Sequence, residues 1–149
     1  MQRLTRLRAV SLPECGLLAE ALVALALASL VVSVFPFRVI GNWASGRSGA
    51  AAPPQARRAA ISRVRWAVSA CARRVPFRAK CFEQGLAALW MLRRRGVSAT
   101  LHFGAAHEHE SLVAHVWITA DDEAVIGCEI KDRFFELVRF PRVERSADA

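Results

Sequence analysis

Two side chains in this sequence have the types and settings for covalent chemistry, the thiol of Cys81 and the imidazole of His115. Cys81 stands in residues 75–96, VPFRAKCFEQGLAALWMLRRRG, where Phe82, Leu86, Leu89, Trp90 and Leu92 recur at helical spacing. Arg93 to Arg95 suit the negative end of a helix dipole, and Gly96 is a natural stop, so Cys81 opens the helix. Unpaired N–H groups and the macrodipole at a helix start favour a thiolate, and Arg78 and Lys80 add positive charge. The competing reading is that a cysteine is simply a small residue for a core. A nucleophile needs a base, and His115 is the candidate. It lies in the β-rich run 112–119, LVAHVWIT, on one face with Val113 and Trp117, while Leu112, Ala114, Val116 and Ile118 make an apolar opposite face. A histidine among apolar neighbours is commonly a packed, hydrogen-bonded residue. Paired with a helix-opening cysteine, it could serve as the base that activates a thiol nucleophile.

The elements that must position these two groups follow from periodicity. Residues 1–8 form a basic leader, and Pro13 with Glu14 opens a helix. From Ala21 to Phe35 nearly every residue is apolar, until Pro36 interrupts. Glu14, Glu20 and the lack of a small-x-small site after Val34 argue against a secretory signal. The run is short of the about 20 apolar residues a span requires. It reads as a helix packed on the domain, with peripheral membrane contact as the next reading. A Gly/Ser/Ala/Pro run at 45–54 is a loop, which divides the chain into an apolar helical segment, 1–52, and a catalytic domain, 53–149. A second helix is expected over 55–73, with Ile61, Val64, Val68 and Cys71 as its inner stripe and Arg57, Arg58, Arg63 and Arg65 on a solvated face. After Gly96 the pattern turns to strands at 97–104, 112–119, 124–130 and 134–140, with a polar loop at 105–111. Helices first and then an antiparallel sheet is an α+β arrangement.

Composition narrows the function classes. With 149 residues, 54% of them hydrophobic, the chain can bury a proper core. Four cysteines without a CxxC pair suit a reducing, cytoplasmic setting and argue against structural zinc. The net charge of +8 is uneven: residues 1–95 hold 16 Arg/Lys against 3 Asp/Glu, whereas residues 96–149 hold 5 against 10. No zinc-finger spacing, RNA-binding aromatic signature or long basic run accompanies this excess, so no nucleic-acid partner is expected. The run His107-Glu108-His109-Glu110 lacks the HExxH spacing of zinc peptidases and reads as solvent-facing charge or a substrate contact at the mouth of the site.

The segments RAKCFEQGLAALWMLRRRGVSATLHFG and AHVWITADDEAVIG resemble the transglutaminase-like peptidases of lasso peptide biosynthesis, and more specifically the protease half of the lasso peptide biosynthesis B protein. The likeness covers roughly residues 75–130, and the apolar run before Pro36-Phe37-Arg38 adds to it. The resemblance implies a papain/transglutaminase-like core and a cysteine protease that removes a leader peptide in antibiotic biosynthesis. It implies no metal or organic cofactor. Its partners would be a precursor peptide leader, a separate leader-recognition protein, since no such domain precedes the apolar helix, and an ATP-dependent cyclase. Two other classes remain open: a thiol acyltransferase or amidase of the same fold, and a non-enzymatic, membrane-associated adaptor.

The family has an Asp on the strand after its His, and this sequence departs there with Ala124-Val125-Ile126-Gly127-Cys128-Glu129. If the even-numbered apolar faces of the two strands coincide, Gly127 and Glu129 share the face of His115. Glu129 is then the candidate to orient the imidazole, with a backbone carbonyl as the close alternative. Asp121 and Asp122 suit the turn between strands, and Asp132 lies beyond them.

Overall fold

The computed structural model describes residues 11–46, 51–109 and 111–141. Four helices precede a four-stranded sheet: α1 (Leu12–Val34), α2 (Phe37–Ala44), α3 (Pro54–Ala72), α4 (Cys81–Arg93), β1 (Thr100–Glu108), β2 (Ser111–Ala120), β3 (Glu123–Ile126) and β4 (Phe135–Phe140), with a 3₁₀ helix, Cys128–Arg133, before the last strand. The sheet is antiparallel in the order β3-β2-β1-β4. This is the expected α+β fold.

Helix α1 begins at the expected point. The Ser11 N–H and hydroxyl both donate to Glu14, at 2.7 and 2.8 Å, so a carboxylate sits in the first turn where the dipole favours it. Leu17, Ala21, Ala24, Leu25 and Ala28 are buried and join one core with Ile61, Val64 and Val68 of α3 and Leu89, Met91 and Leu92 of α4. The small residues on α1 let neighbouring helices approach closely. Glu20 closes the arrangement by accepting two hydrogen bonds from Arg95, beyond the end of α4. That bidentate pair holds the Glu20 carboxyl below its usual range, with burial opposing the shift.

Several local expectations need correction. Residues 37–44, unassigned by periodicity, form α2, whose last carbonyls, of Trp43 and Ala44, accept from the Arg93 guanidinium. The proposed polar loop at 105–111 is mostly strand: β1 runs on to Glu108, and His109 makes the turn at φ 56. Arg57 and Arg58 are not merely solvated. They pair with Asp121 and Glu123, joining α3 to the β2–β3 turn, and Asp121 and Asp122 hold that turn at φ 48 and 62. The strand expected over 124–130 ends at Ile126, because Gly127 turns left-handed at φ 72 and starts the 3₁₀ helix. Ile118 pairs with Ile126, in keeping with the register argument, but the register then shifts, and Thr119 pairs with Ala124 and Ala120 with Glu123.

Helix α4 packs on the sheet through Gly85, where an added Cβ would stand 2.9 Å from Val116 Cγ1. Val116 and Ile118 therefore face the helices and are buried, whereas Leu112, on the same face but beyond the helical cover, is 69% exposed.

Candidate active site

The start of α4 is fixed by a buried carboxylate. Glu83, in the first turn, is fully buried and accepts the Lys80 N–H at 3.1 Å, which anchors the residue before Cys81. Its other oxygen lies 2.9 Å from Arg78 Nε, but that N–H is not directed at it, so the contact is an ion pair without hydrogen-bond geometry. Cys81 follows as the first helical residue and is partly exposed.

The four thiols sort by environment. Cys71 and Cys128 are raised by desolvation, and each donates to backbone oxygen, Cys71 to Leu18 at 3.6 Å and Cys128 to Ile118 at 3.2 Å. Cys71 is buried and Cys128 half-buried, and desolvated, hydrogen-bonded thiols of this kind are poor nucleophiles. Cys15 is on the surface of α1. Cys81 opens into a cleft of about 240 Å³, lined by Ser69, Gln84, His115, Val125, Ile126, Gly127 and Glu129.

His115 reaches this cleft because β3 is short. Its pairing with β2 covers Ile118 to Ala120, so the imidazole stands beyond the end of β3. The ring is only 7% exposed and is held on three sides. Phe134 lies 4.9 Å away between centroids, Trp117 lies 6.0 Å away and nearly parallel, and Nε2 is 2.6 Å from the Gly127 carbonyl oxygen. A carbonyl only accepts, so Nε2 carries the proton and donates it. In the neutral ring Nδ1 is then the basic nitrogen. The left-handed turn at Gly127 is what aims that carbonyl: a Cβ there would lie 2.6 Å from the Val116 oxygen and 3.3 Å from His115 Nε2 and Cε1.

Glu129 lines the cleft from the 3₁₀ helix, on the solvent-exposed side, while the bond to Nε2 is made by Gly127. Asp121 and Asp122 make the β2–β3 turn, and Asp132 and Asp122 line a second cavity beside Trp117. His107 is exposed at the far end of β1, His109 is in the turn, and Glu110 lies outside the described residues.

Sequence reasoning passed over two contributors and left a third without a residue number. Gln84, three residues after Cys81 and so on the same helix face, donates to the Ala79 carbonyl at 2.8 Å and lines the cleft. Its spacing was a usable signal. A backbone carbonyl was the alternative to Glu129, but Gly127 was placed only on the face of His115, since a carbonyl leaves no mark in the residue type. His102 was missed altogether. It is buried, bonded through Nδ1 to Glu136 at 2.7 Å and through Nε2 to Thr119 at 2.9 Å, and its ring stacks on Trp117 at 5.3 Å and 0°. Trp117 thus lies between two imidazoles, in space that Gly104 leaves open: a Cβ on Gly104 would come within 2.8 Å of the indole. Burial of Glu136 opposes its ionisation, yet hydrogen bonds from His102 and Arg139 outweigh that and lower its pKa.

A thiol at a helix start, an imidazole in the same cleft and a fixed acceptor behind the imidazole make up the machinery of a thiol acyl-transfer enzyme. The family model described as transglutaminase-like superfamily matches residues 21–139. The chain belongs to the transglutaminase-like superfamily. Membership brings with it cysteine peptidase or acyltransferase chemistry, and the match takes in α1 and α2 as well as the site. No curated protein and no solved structure matched the chain.

Proposed function

We propose that this transglutaminase-like protein is a cysteine peptidase that removes the leader from a ribosomally made lasso peptide precursor. The observation that carries the reading is one cleft holding Cys81 and His115, with Nε2 committed to the Gly127 carbonyl. The finer assignment to lasso peptides rests on the likeness of the Cys81 helix and the Ala-His-x-Trp strand to the protease half of the biosynthesis B protein.

In this reading the Cys81 thiol gives its proton to His115 Nδ1, and the sulfur forms a bond to the carbonyl carbon at the leader–core junction. The Cys81 backbone N–H and the Gln84 amide stabilise the oxyanion. The C–N bond then breaks as the imidazolium returns the proton to the departing amine, which becomes the N-terminus of the core peptide. Water attacks the thioester, giving its proton to Nδ1, and the leader leaves as a carboxylic acid while the thiol is restored. Phe134 and Trp117 keep the imidazole in plane and exclude bulk water throughout. Glu129, at the open side of the cleft, serves as a substrate contact or an auxiliary orienter. A separate recognition protein presents the leader, and an ATP-dependent cyclase joins the new amine to an acidic side chain.

The test is incubation of the protein with a leader-bearing peptide and a leader-recognition domain, followed by mass spectrometry. Scission of one defined bond, absent in Cys81→Ala, is the expected result. Incorporation of an added amine without hydrolysis would instead establish an acyltransferase, and unchanged scission in Cys81→Ala would overturn both.

A further inference from the structure

The catalytic reading leaves one large feature unused, the outer side of α1 and α2. A helix at the surface of a water-soluble domain carries polar residues on its outer face. Helix α1 does not. Leu22, Val23, Leu27, Leu30 and Val34 are all between 44% and 63% exposed, and only 28% of its most apolar window is buried. The apolar surface continues over Phe35, Val39 and Trp43 into a concavity of about 320 Å³ where α1 and α2 diverge, floored by Leu86 and Trp90 of α4.

Cations border this surface, although Arg94 is also ion-paired with Glu20 at 3.8 Å. Between Glu20 and Glu83 the sequence contains no acidic residue. Arg38 projects from α2, Arg93 lies over Trp43 at 5.6 Å, and Arg94 lies over Trp90 at 5.0 Å. Arginine paired with tryptophan at the margin of an apolar face is the composition of an interfacial anchor. The indole suits the headgroup boundary, and the guanidinium meets anionic lipid.

We propose that this face docks on the surface of an anionic phospholipid bilayer, with α1 lying along the membrane. A crossing orientation does not fit, because Leu17, Ala21, Ala24, Leu25 and Ala28 are committed to the core and Glu20 is tied to Arg95. The concavity and the catalytic cleft share no lining residue. The inference is independent of the substrate assigned above.

Sedimentation of the full chain with vesicles of phosphatidylglycerol mixed with phosphatidylcholine, against phosphatidylcholine alone, tests it. Binding is expected only to the anionic vesicles and should weaken with added salt. Arg38→Glu should reduce it roughly fivefold or more, since each cation contributes about 1 kcal/mol. Trp43→Ser is a second, separate variant that should also lose binding. Both positions are exposed, so circular dichroism should show an unchanged fold. Failure to bind anionic vesicles overturns the proposal, as does binding that neither variant weakens, which would place it elsewhere on the chain. Concentration-dependent dimerisation through Trp43 in place of vesicle binding would assign the face to a second copy and equally overturn it.

Discussion

Replacing Gly127 with alanine isolates the carbonyl that holds His115. Two costs arise. At φ 72 a residue with a Cβ costs roughly 1–2 kcal/mol relative to glycine. The new methyl would also lie 2.6 Å from the Val116 carbonyl oxygen, where ordinary contact begins at 3.4 Å, and that neighbour is backbone in the middle of β2. The turn must move, so the total loss of stability should be about 2–4 kcal/mol. The same movement carries the Gly127 oxygen off the 2.6 Å bond to Nε2. A displacement of about 1 Å in a positioning group costs on the order of 10²-fold in rate. Urea unfolding gives the first quantity and kcat/KM on the leader-bearing peptide gives the second, measured where the variant is still folded. Gly16→Ala is the reference. Nothing lies within 4 Å of a Cβ at that exposed position inside α1, so it should gain about 0.5–1 kcal/mol and keep full activity. A folded Gly127→Ala enzyme with kcat/KM within about twofold of the parent would refute the role given to the carbonyl.

Glu129→Gln should leave kcat nearly unchanged and act on KM if the carboxylate contacts substrate. A loss of kcat comparable to that of Gly127→Ala would restore Glu129 as the orienting residue. Alkylation of the folded protein, read by peptide mapping, should modify Cys81 and Cys15 well ahead of Cys71 and Cys128, whose thiols burial pushes up. Equal labelling of Cys128 would contradict the protection assigned to its desolvated, hydrogen-bonded thiol. Glu20 and Glu136 both have lowered folded values, Glu20 through the Arg95 hydrogen bonds and Glu136 through His102 and Arg139 against the pull of burial. Their contribution is therefore full above the unfolded carboxylate pKa of about 4.3 and is lost as pH falls through the lower folded values. Glu20→Gln should flatten the acid limb of the stability profile, and an unchanged limb would show the pair to be worth nothing.

Periodicity made α1, α3, α4, β2 and β4 legible because each buries one face over several turns or pleats. It failed for α2, which is two turns long and held by Arg93 from another helix. It also failed at the end of β3, where one glycine's dihedral angle converts a strand into a 3₁₀ helix, so Glu129 lines the cleft from that helix rather than from a strand. Strand β1 ran further than expected because the alternation of 105–108 looked polar in sequence, although those residues pair with 111–114 across the hairpin.

The residue types and their local spacing determined that a thiol would open a basic-ended helix, that an imidazole would stand in a strand, and that the fold would place helices before an antiparallel sheet. These are short-range facts, fixed by neighbours within a few positions of each residue. The meeting of Cys81 with His115, the choice of a backbone oxygen rather than a carboxylate to hold Nε2, and the stacking of Trp117 on His102 were decided by tertiary packing. Each depends on where groups far apart in the chain come to rest, and a carbonyl's direction is set by backbone angles that carry no side-chain signature.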